Sequence, residues 1–166
     1  MVAGNAPLIL VRVQHDDFDA AAESARLTAG RQDVGAVVTF TGLCRDEEGA
    51  LAALELEHYP GMAEAEIARI AAEAVERWQL GGLTAIHRHG RIRPGENIVL
   101  VAAASSHRHA AFEAAAFLMD YLKSRAPFWK KEHRVDGRDG DWVDARDEDA
   151  AAVERWRDPG VNPRRG

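Results

Sequence analysis

The sequence is poor in cysteine and in lysine. It contains 166 residues, of which one is a cysteine, Cys44, and three are lysines. A single cysteine excludes an intrachain disulfide framework and a zinc site built from cysteine alone. The 14 glycines and 6 prolines are too few for a collagen-like or linker-like chain. With 46% hydrophobic residues, the chain has the length and composition of one ordinary domain.

Long apolar runs are also missing. The uncharged stretch 34–44 is far too short to span a bilayer, and no Lys or Arg precedes the apolar residues at 8–11, as it would in a signal peptide. We therefore expect a cytoplasmic protein. The net charge of −6 argues against a general nucleic-acid binder, because such proteins gain affinity by neutralising phosphates.

The few lysines lie together. Lys123, Lys130 and Lys131 fall within nine positions of a chain that otherwise uses arginine as its cation. Segment 105–134 holds six Lys or Arg against three Asp or Glu, so it is basic although the whole chain is acidic. A confined basic segment favours an anion site over a basic surface. Lysine can also lose its proton and act as a base or nucleophile, so the cluster can have a catalytic function. The alternative explanation is that the three lysines lie together by chance.

Periodicity and helix breakers predict elements in the order β-α-β-β-α-β-β-α-β-β. Apolar residues at helical spacing predict two long helices, over 62–80 and 107–125, and an acidic start predicts a shorter one over 16–28. Short links between the strands favour antiparallel pairing. We therefore predict an α+β fold, with a mostly antiparallel sheet and two long helices packed on it. The strands are expected at 7–13, 35–41, 51–58, 83–89, 97–104, 128–135 and 141–145.

Two segments carry candidate anion-binding residues. His107 and Arg108 lie where a strand is predicted to turn into a helix, and a helix N-terminus beside an arginine is suited to a phosphate or carboxylate. Arg45 begins a polar loop just after a predicted strand, a usual place for a binding residue. Ordinary surface positions are the alternative for both arginines.

The lysines around a predicted helix end are the second candidate group. Lys123 lies in the last turn of that helix, where the helix dipole alone favours a cation. Lys130 and Lys131 are neighbours on a strand and point to opposite faces, so at most one can share a pocket with Lys123. Phe128 could form an apolar wall of that pocket or belong to the core.

Two histidines leave a metal site open. His87 and His89 share one face of a predicted strand, and with Cys44 or His58 they could bind a metal. No signature spacing supports a zinc site, and no nucleotide-binding loop follows any predicted strand. We therefore predict neither a metal nor a cofactor.

Several motifs together resemble the large, catalytic subunit family of molybdopterin synthase. They match in order from about residue 7 to about residue 157, and the last of them is the most specific. The resemblance implies an α/β-hammerhead fold, which agrees with the predicted elements, in one domain over 1–157 followed by a flexible tail over 158–166. The motifs are Gly-Ala-Val-Val-Thr-Phe-Thr-Gly at 35–42, Leu-Glu-His-Tyr-Pro-Gly-Met at 56–62, Ser-His-Arg at 106–108, Asp-Tyr-Leu-Lys at 120–123 and Ala-Pro-Phe-Trp-Lys-Lys-Glu at 126–132.

The resemblance implies an activity and partners. That family is a sulfurtransferase of molybdenum cofactor biosynthesis, which inserts two sulfurs into cyclic pyranopterin monophosphate (precursor Z) to form the dithiolene of molybdopterin. The sulfur comes from a small ubiquitin-like carrier, whose C-terminal Gly-Gly ends in a thiocarboxylate and enters a pocket of the large subunit. Two large subunits form a central homodimer of a heterotetramer. A module that binds a ubiquitin-like tail without catalysis is the alternative.

The resemblance also implies roles for individual residues. Lys123 and Lys130 match the two catalytic lysines, and together with Phe128 they match the pocket for the carrier tail. Cys44 stands where an aliphatic residue is expected, which changes none of these roles. The positions that match the pterin pocket are Arg45, His107, Arg108, Met119 and Arg146.

Overall fold

The computed structural model describes residues 5–145 and 150–157, and it contains every predicted element. It adds a three-residue strand, β5, and a C-terminal 3-10 helix. Arg146 and the tail 158–166 lie outside the described residues. The elements are β1 (Leu8–Gln14), α1 (Ala20–Arg26), β2 (Ala36–Leu43), β3 (Leu51–His58), α2 (Met62–Trp78), β4 (Gly82–Arg88), β5 (Gly90–Ile92), β6 (Asn97–Ser105), α3 (Arg108–Arg125), β7 (Phe128–Arg134), β8 (Val143–Asp144) and the 3-10 helix Ala150–Trp156.

The strands form two four-stranded sheets. The first has the strand order β1-β4-β6-β2 and the second β5-β3-β7-β8. Strands β1 and β4 pair in parallel, whereas the other pairs in the described chain are antiparallel. The predicted α+β class with mostly antiparallel pairing is thereby confirmed, and the strands are divided between two sheets.

The first sheet is covered on both faces. Residues 99–105 of its inner strand β6 are all buried. Val101 and Ala103 belong to the main core with α2 and α3, while Ala102 and Ala104 pack with Leu27, just beyond α1. A strand with two covered faces carries a continuous apolar sequence, which explains the run Val-Leu-Val-Ala-Ala-Ala.

The two long helices pack against each other over this sheet. The Trp78 ring of α2 lies 5.0 Å from the Phe117 ring of α3 in an edge-to-face arrangement, a favourable aromatic geometry. Helix α2 begins after Gly61, whose φ of +84° suits glycine, and Glu64 accepts the Gly61 N–H at 2.8 Å. No helix in the described ranges is long and apolar enough to cross a membrane.

The C-terminal half of α3 is held from two sides. Ala126 ends the helix in an extended conformation, as the following Pro127 requires, and the chain enters β7 at once. On the other side, Trp156 of the 3-10 helix donates its Nε1–H to Asp120 Oδ2 at 2.7 Å, and Arg155 pairs with the same carboxylate at 2.6 Å. The last turns of α3 are therefore fixed relative to β7 and to the C-terminal segment.

Candidate active site

A cleft of about 570 Å³ opens where the two sheets meet the C-terminal half of α3. Its volume lies within the range of small-molecule sites. Both sheets, α3 and the loop after β2 contribute to its walls, so the fold assembles it from distant parts of the chain. The described lining residues are Phe40, Thr41, Gly42, Leu43, Arg45, Leu54, Leu56, His87, Ile98, Val99, Met119, Leu122, Lys123, Phe128, Lys130 and Ala145.

Two of the three lysines line this cleft. Lys123 projects from the last turn of α3, is exposed, and makes no hydrogen bond or ion pair with the described residues. Lys130 lies on β7 opposite Leu56 of β3, another lining residue. Lys131 is not among the described lining residues, because strand alternation turns it to the other face of β7.

The apolar wall comes from the same two elements. Met119 lies one helical turn before Lys123, and it is half-buried at the edge of the main core. Phe128 is buried at the start of β7, where it belongs to the main core and also lines the cleft. Both residues line the cleft that also holds Lys123 and Lys130.

Arg45 lines the cleft from the loop after β2. Its guanidinium forms an ion pair with Glu47 of the same loop, and its side chain is 81% exposed. An exposed ion pair contributes little to stability, so a ligand anion can replace Glu47 at small cost. Arg45 is thus positioned to bind an anion at the mouth of the cleft.

The cleft favours anions. Arg45, Lys123 and Lys130 supply three cationic groups, and no Asp or Glu occurs among its described lining residues. Cations in a partly apolar cleft are screened less than cations in open water, and they attract a phosphate or thiocarboxylate more strongly.

The sequence alone does not assign His87 to this cleft. Its ring lines the cleft and stacks on Phe128, with ring centroids 3.9 Å apart and planes inclined by 19°. Burial, followed by the nearby Lys123, lowers the pKa of His87 to about 4. The available signal was alternation along β4, since Ala85, two residues earlier, belongs to the main core.

His107 and Arg108 do not line the cleft of their own chain. His107 is the N-cap of α3, and both residues are exposed. Arg108 and Lys123 lie at opposite ends of the helix, about 22 Å apart at 1.5 Å per residue. Within one chain, the structure therefore does not bring these two predicted pterin-binding residues to the lysines. Arg146, the remaining one, is outside the described residues.

Three further histidines, His15, His58 and His89, lie together near the end of β4. The His58 and His89 rings are 4.6 Å apart, and His15 lies 6.0 Å from His89. Burial is the main cause that lowers the pKa of His89. No group of three or more His, Cys, Asp or Glu within residues 5–145 and 150–157 has the arrangement of a metal site.

Comparisons with known proteins identify the family of the chain. The family model described as "MoaE protein" matches residues 13–125. The molybdopterin synthase catalytic subunit of Mesorhizobium japonicum is 77% identical over 147 residues, which cover 89% of this chain and 92% of that protein.

Solved structures extend the agreement to the fold. The molybdopterin biosynthesis MoaE protein of Burkholderia ambifaria is 50% identical with a TM-score of 0.79, covering 90% of this chain and 98% of that one. The molybdopterin synthase structure from Staphylococcus aureus is 30% identical with a TM-score of 0.72, covering 79% and 94%. Because the family model matches most of the chain and the fold agrees, the chain belongs to the MoaE protein family.

Proposed function

We propose that this chain is the catalytic subunit of a molybdopterin synthase, a sulfurtransferase that converts cyclic pyranopterin monophosphate to molybdopterin in molybdenum cofactor biosynthesis. The proposal rests on one observation: Lys123 and Lys130 line the same largely apolar cleft. No Asp or Glu occurs among the described residues that line it. The substrate carries an anionic phosphate on a pterin ring system, and this cleft offers an apolar wall and three cations. The chain belongs to the MoaE family, and a relative with 77% identity is named a molybdopterin synthase catalytic subunit. Both findings support the same function.

The cleft suits the chemistry of sulfur transfer. The thiocarboxylate sulfur of a small carrier, still acylated to the carrier, attacks a substrate carbon that carries oxygen. The C–S bond forms as the C–O bond breaks, and the departing oxygen takes up a proton. Water then cleaves the acyl–sulfur bond, which leaves the sulfur on the pterin and a carboxylate on the carrier. Negative charge develops in both steps, and the ammonium groups of Lys123 and Lys130 stabilise it and exchange protons with the reacting atoms.

The carrier tail and the pterin share this cleft in the proposal. Phe128, Lys123 and Lys130 hold the C-terminal Gly-Gly of a small ubiquitin-like carrier, and Met119, Arg45 and the loop end of the cleft face the pterin. The cations of the cleft favour catalysis over the alternative, a module that only binds the tail. Such a module needs an apolar groove and backbone partners, so it leaves the two lysines without a purpose.

A second copy of the chain completes the proposed pocket. The resemblance assigns His107 and Arg108 to the pterin phosphate, yet the length of α3 separates Arg108 from Lys123 by about 22 Å. In a two-fold symmetric homodimer, the start of α3 of one copy can reach the cleft of the other. This arrangement gives the exposed His107 and Arg108 a ligand, and it agrees with the homodimer at the centre of a heterotetramer. The expected cytoplasmic location stays a prediction.

The deciding experiment is reconstitution of sulfur transfer. Purified chain, thiocarboxylated carrier and cyclic pyranopterin monophosphate are mixed, and the dithiolene pterin is measured. We expect Lys123→Ala and Lys130→Ala each to lower turnover by about 100-fold or more, the usual effect of removing a group that stabilises transition-state charge. Lys131→Ala is the matched control, because it removes the neighbouring lysine from the other strand face, and it should stay near wild type.

Each result has a separate meaning. Full turnover in both lysine variants contradicts the catalytic assignment. Absence of product with a stable chain–carrier complex favours the binding module, and absence of both product and complex contradicts the proposed function. Arg45→Glu should raise the KM for the pterin by about tenfold or more, since it reverses a charge that holds an anion.

A further inference from the structure

His87 presents a hydrogen-bond acceptor to the cleft. Its Nδ1 lies 2.8 Å from the carbonyl oxygen of Arg88. A carbonyl oxygen only accepts, so Nδ1 carries the hydrogen, and in the neutral ring Nε2 keeps its lone pair. The backbone of β4 therefore fixes the tautomer.

The Nε2 atom of His87 is accessible from the cleft. It has no hydrogen-bond partner among the described residues, whereas every fully buried polar side-chain atom of that part of the chain has one. Nε2 is thus not sealed in the core, and the cleft is the space that the ring lines. Stacking on Phe128 holds the ring plane in place.

His87 is suited to accepting a hydrogen bond and unsuited to accepting a proton. Its pKa of about 4 means that the ring stays neutral over the physiological range. A base this weak cannot hold a proton taken from an ammonium group such as that of Lys123. A neutral imidazole with a fixed tautomer is, by contrast, a dependable acceptor for an N–H group.

We propose that His87 is a substrate-positioning residue whose Nε2 accepts a hydrogen bond from a ring N–H of the pterin bound beside Lys123. This inference rests on the proposed function and names the edge of the substrate that the cleft recognises. Lys123 is a donor and His87 an acceptor, and both line the same cleft. The lactam edge of a pterin carries a C=O beside an N–H on one side, so it can satisfy both residues at once.

The carrier tail fits this donor–acceptor pair less well. A peptide bond is trans, and it directs its C=O and N–H to opposite sides. One peptide unit of an extended Gly-Gly tail therefore cannot meet Lys123 and His87 together. In a lactam, the ring holds the amide cis, and the two groups are neighbours on one edge.

The test measures binding rather than turnover. The probes are an oxidised, fluorescent pterin monophosphate and the same compound methylated at the lactam nitrogen, and each is titrated into the full chain. Wild type should bind the N–H probe about tenfold more tightly, the value of one good hydrogen bond. His87→Phe keeps a ring against Phe128 but lacks the acceptor, so this preference should disappear. His87→Gln should restore most of it.

A control variant and the transfer assay separate the outcomes. His89→Phe changes a nearby histidine that is not among the described lining residues, and it should keep the wild-type preference. If His87→Phe keeps the wild-type preference for the N–H probe, the inference is wrong. It is also wrong if wild type binds both probes equally, a result that can be obtained without any variant. In the transfer assay, we expect His87→Phe to raise the pterin KM while kcat changes little.

Failure of the inference differs from failure of the proposed function. If wild type forms product and the preference survives in His87→Phe, only the His87 assignment is wrong. In the opposite case, wild type forms no product but prefers the N–H probe, and the His87→Phe variant lacks this preference. The pterin edge is then recognised as inferred, and the sulfur-transfer function is wrong.

Discussion

At the scale of single residues, alternation along a strand predicts which lysine can enter the cleft. Lys130 and Lys131 are neighbours, and the sequence shows that only one can accompany Lys123. The structure places Lys130 in the cleft and leaves Lys131 opposite Glu55 on the other face of β7. The position of His87 in the cleft could not be predicted in the same way, because it depends on a ring stack with Phe128, which lies more than 40 positions later.

The low pKa of His87 predicts a pH dependence of stability. Its pKa is about 4 in the folded chain and near 6.5 in the unfolded chain, so between these values the unfolded state binds more protons. Stability should therefore fall as the pH is lowered from 7.5 to 4, by about 3 kcal/mol for this group. Lys123 of α3, His58 of β3 and His89 face the ring, and their charges act in the same direction.

Chemical unfolding at several pH values tests the predicted contribution of His87 to the pH dependence of stability. The glutamine in His87→Gln does not titrate. As the pH is lowered from 7.5 to 4, wild type should therefore lose about 3 kcal/mol more unfolding free energy than the variant. Parallel curves for the two proteins would show that His87 keeps an ordinary pKa in the folded state. The other acid-sensitive groups are common to both proteins and cancel in the difference.

At the scale of elements, the sequence predicts the long segments but misses strand β5 and the 3-10 helix. Helices α2 and α3 and the strands of six or more residues follow from apolar spacing and from breakers such as Pro60 and Pro127. Strand β5 has three residues, too few for any period, and it forms because β3 offers Leu54–Leu56 as a pairing edge. The 3-10 helix forms against α3, so tertiary contacts rather than local propensity decide it.

The 3-10 helix contributes substantially to stability through Trp156. This side chain is 6% exposed, and its ring lies 5.7 Å from the Trp78 ring and 5.5 Å from the Phe117 ring. Trp156→Ala should lower the unfolding free energy by about 3–5 kcal/mol, since it removes a large buried ring. Trp156→Phe keeps most of the packing and removes the Nε1–H bond to Asp120, so it should cost about 1–2 kcal/mol. Urea unfolding of both variants measures the two contributions.

The outcome bears on the site, because Asp120 and Lys123 occupy adjacent turns of α3. Equal losses in the two variants would mean that the hydrogen bond to Asp120, rather than ring packing, dominates. Arg157→Ala is a matched control in the same segment: its ion pair with Glu154 is exposed on both sides, and its removal should change stability by less than about 1 kcal/mol.

At the scale of the whole molecule, the division into two sheets creates the cleft. The sequence predicts antiparallel strands but not which strand is each one's partner, since pairing joins distant segments such as β3 and β7. The cleft depends on that pairing, which brings Leu56 of β3 opposite Lys130 of β7. The sequence motifs could therefore name several lining residues. They could not show that, within one chain, His107 and Arg108 lie far from the cleft, at the other end of α3.

The proposed two-copy site predicts complementation between inactive chains. In a mixed dimer, a Lys123→Ala chain supplies Arg108 to the cleft of an Arg108→Ala chain, which supplies Lys123, so one of the two sites is intact. Random mixing in equal amounts makes half of the dimers mixed, and activity should return to about a quarter of wild type. Each variant alone should be far below this value. If Arg108 served the cleft of its own chain, every site in the mixture would lack one residue, and the activity would stay at the average of the two variants. Mixing after mild denaturation and refolding, with each variant refolded separately as the control, therefore decides whether the pocket is built from one chain or from two.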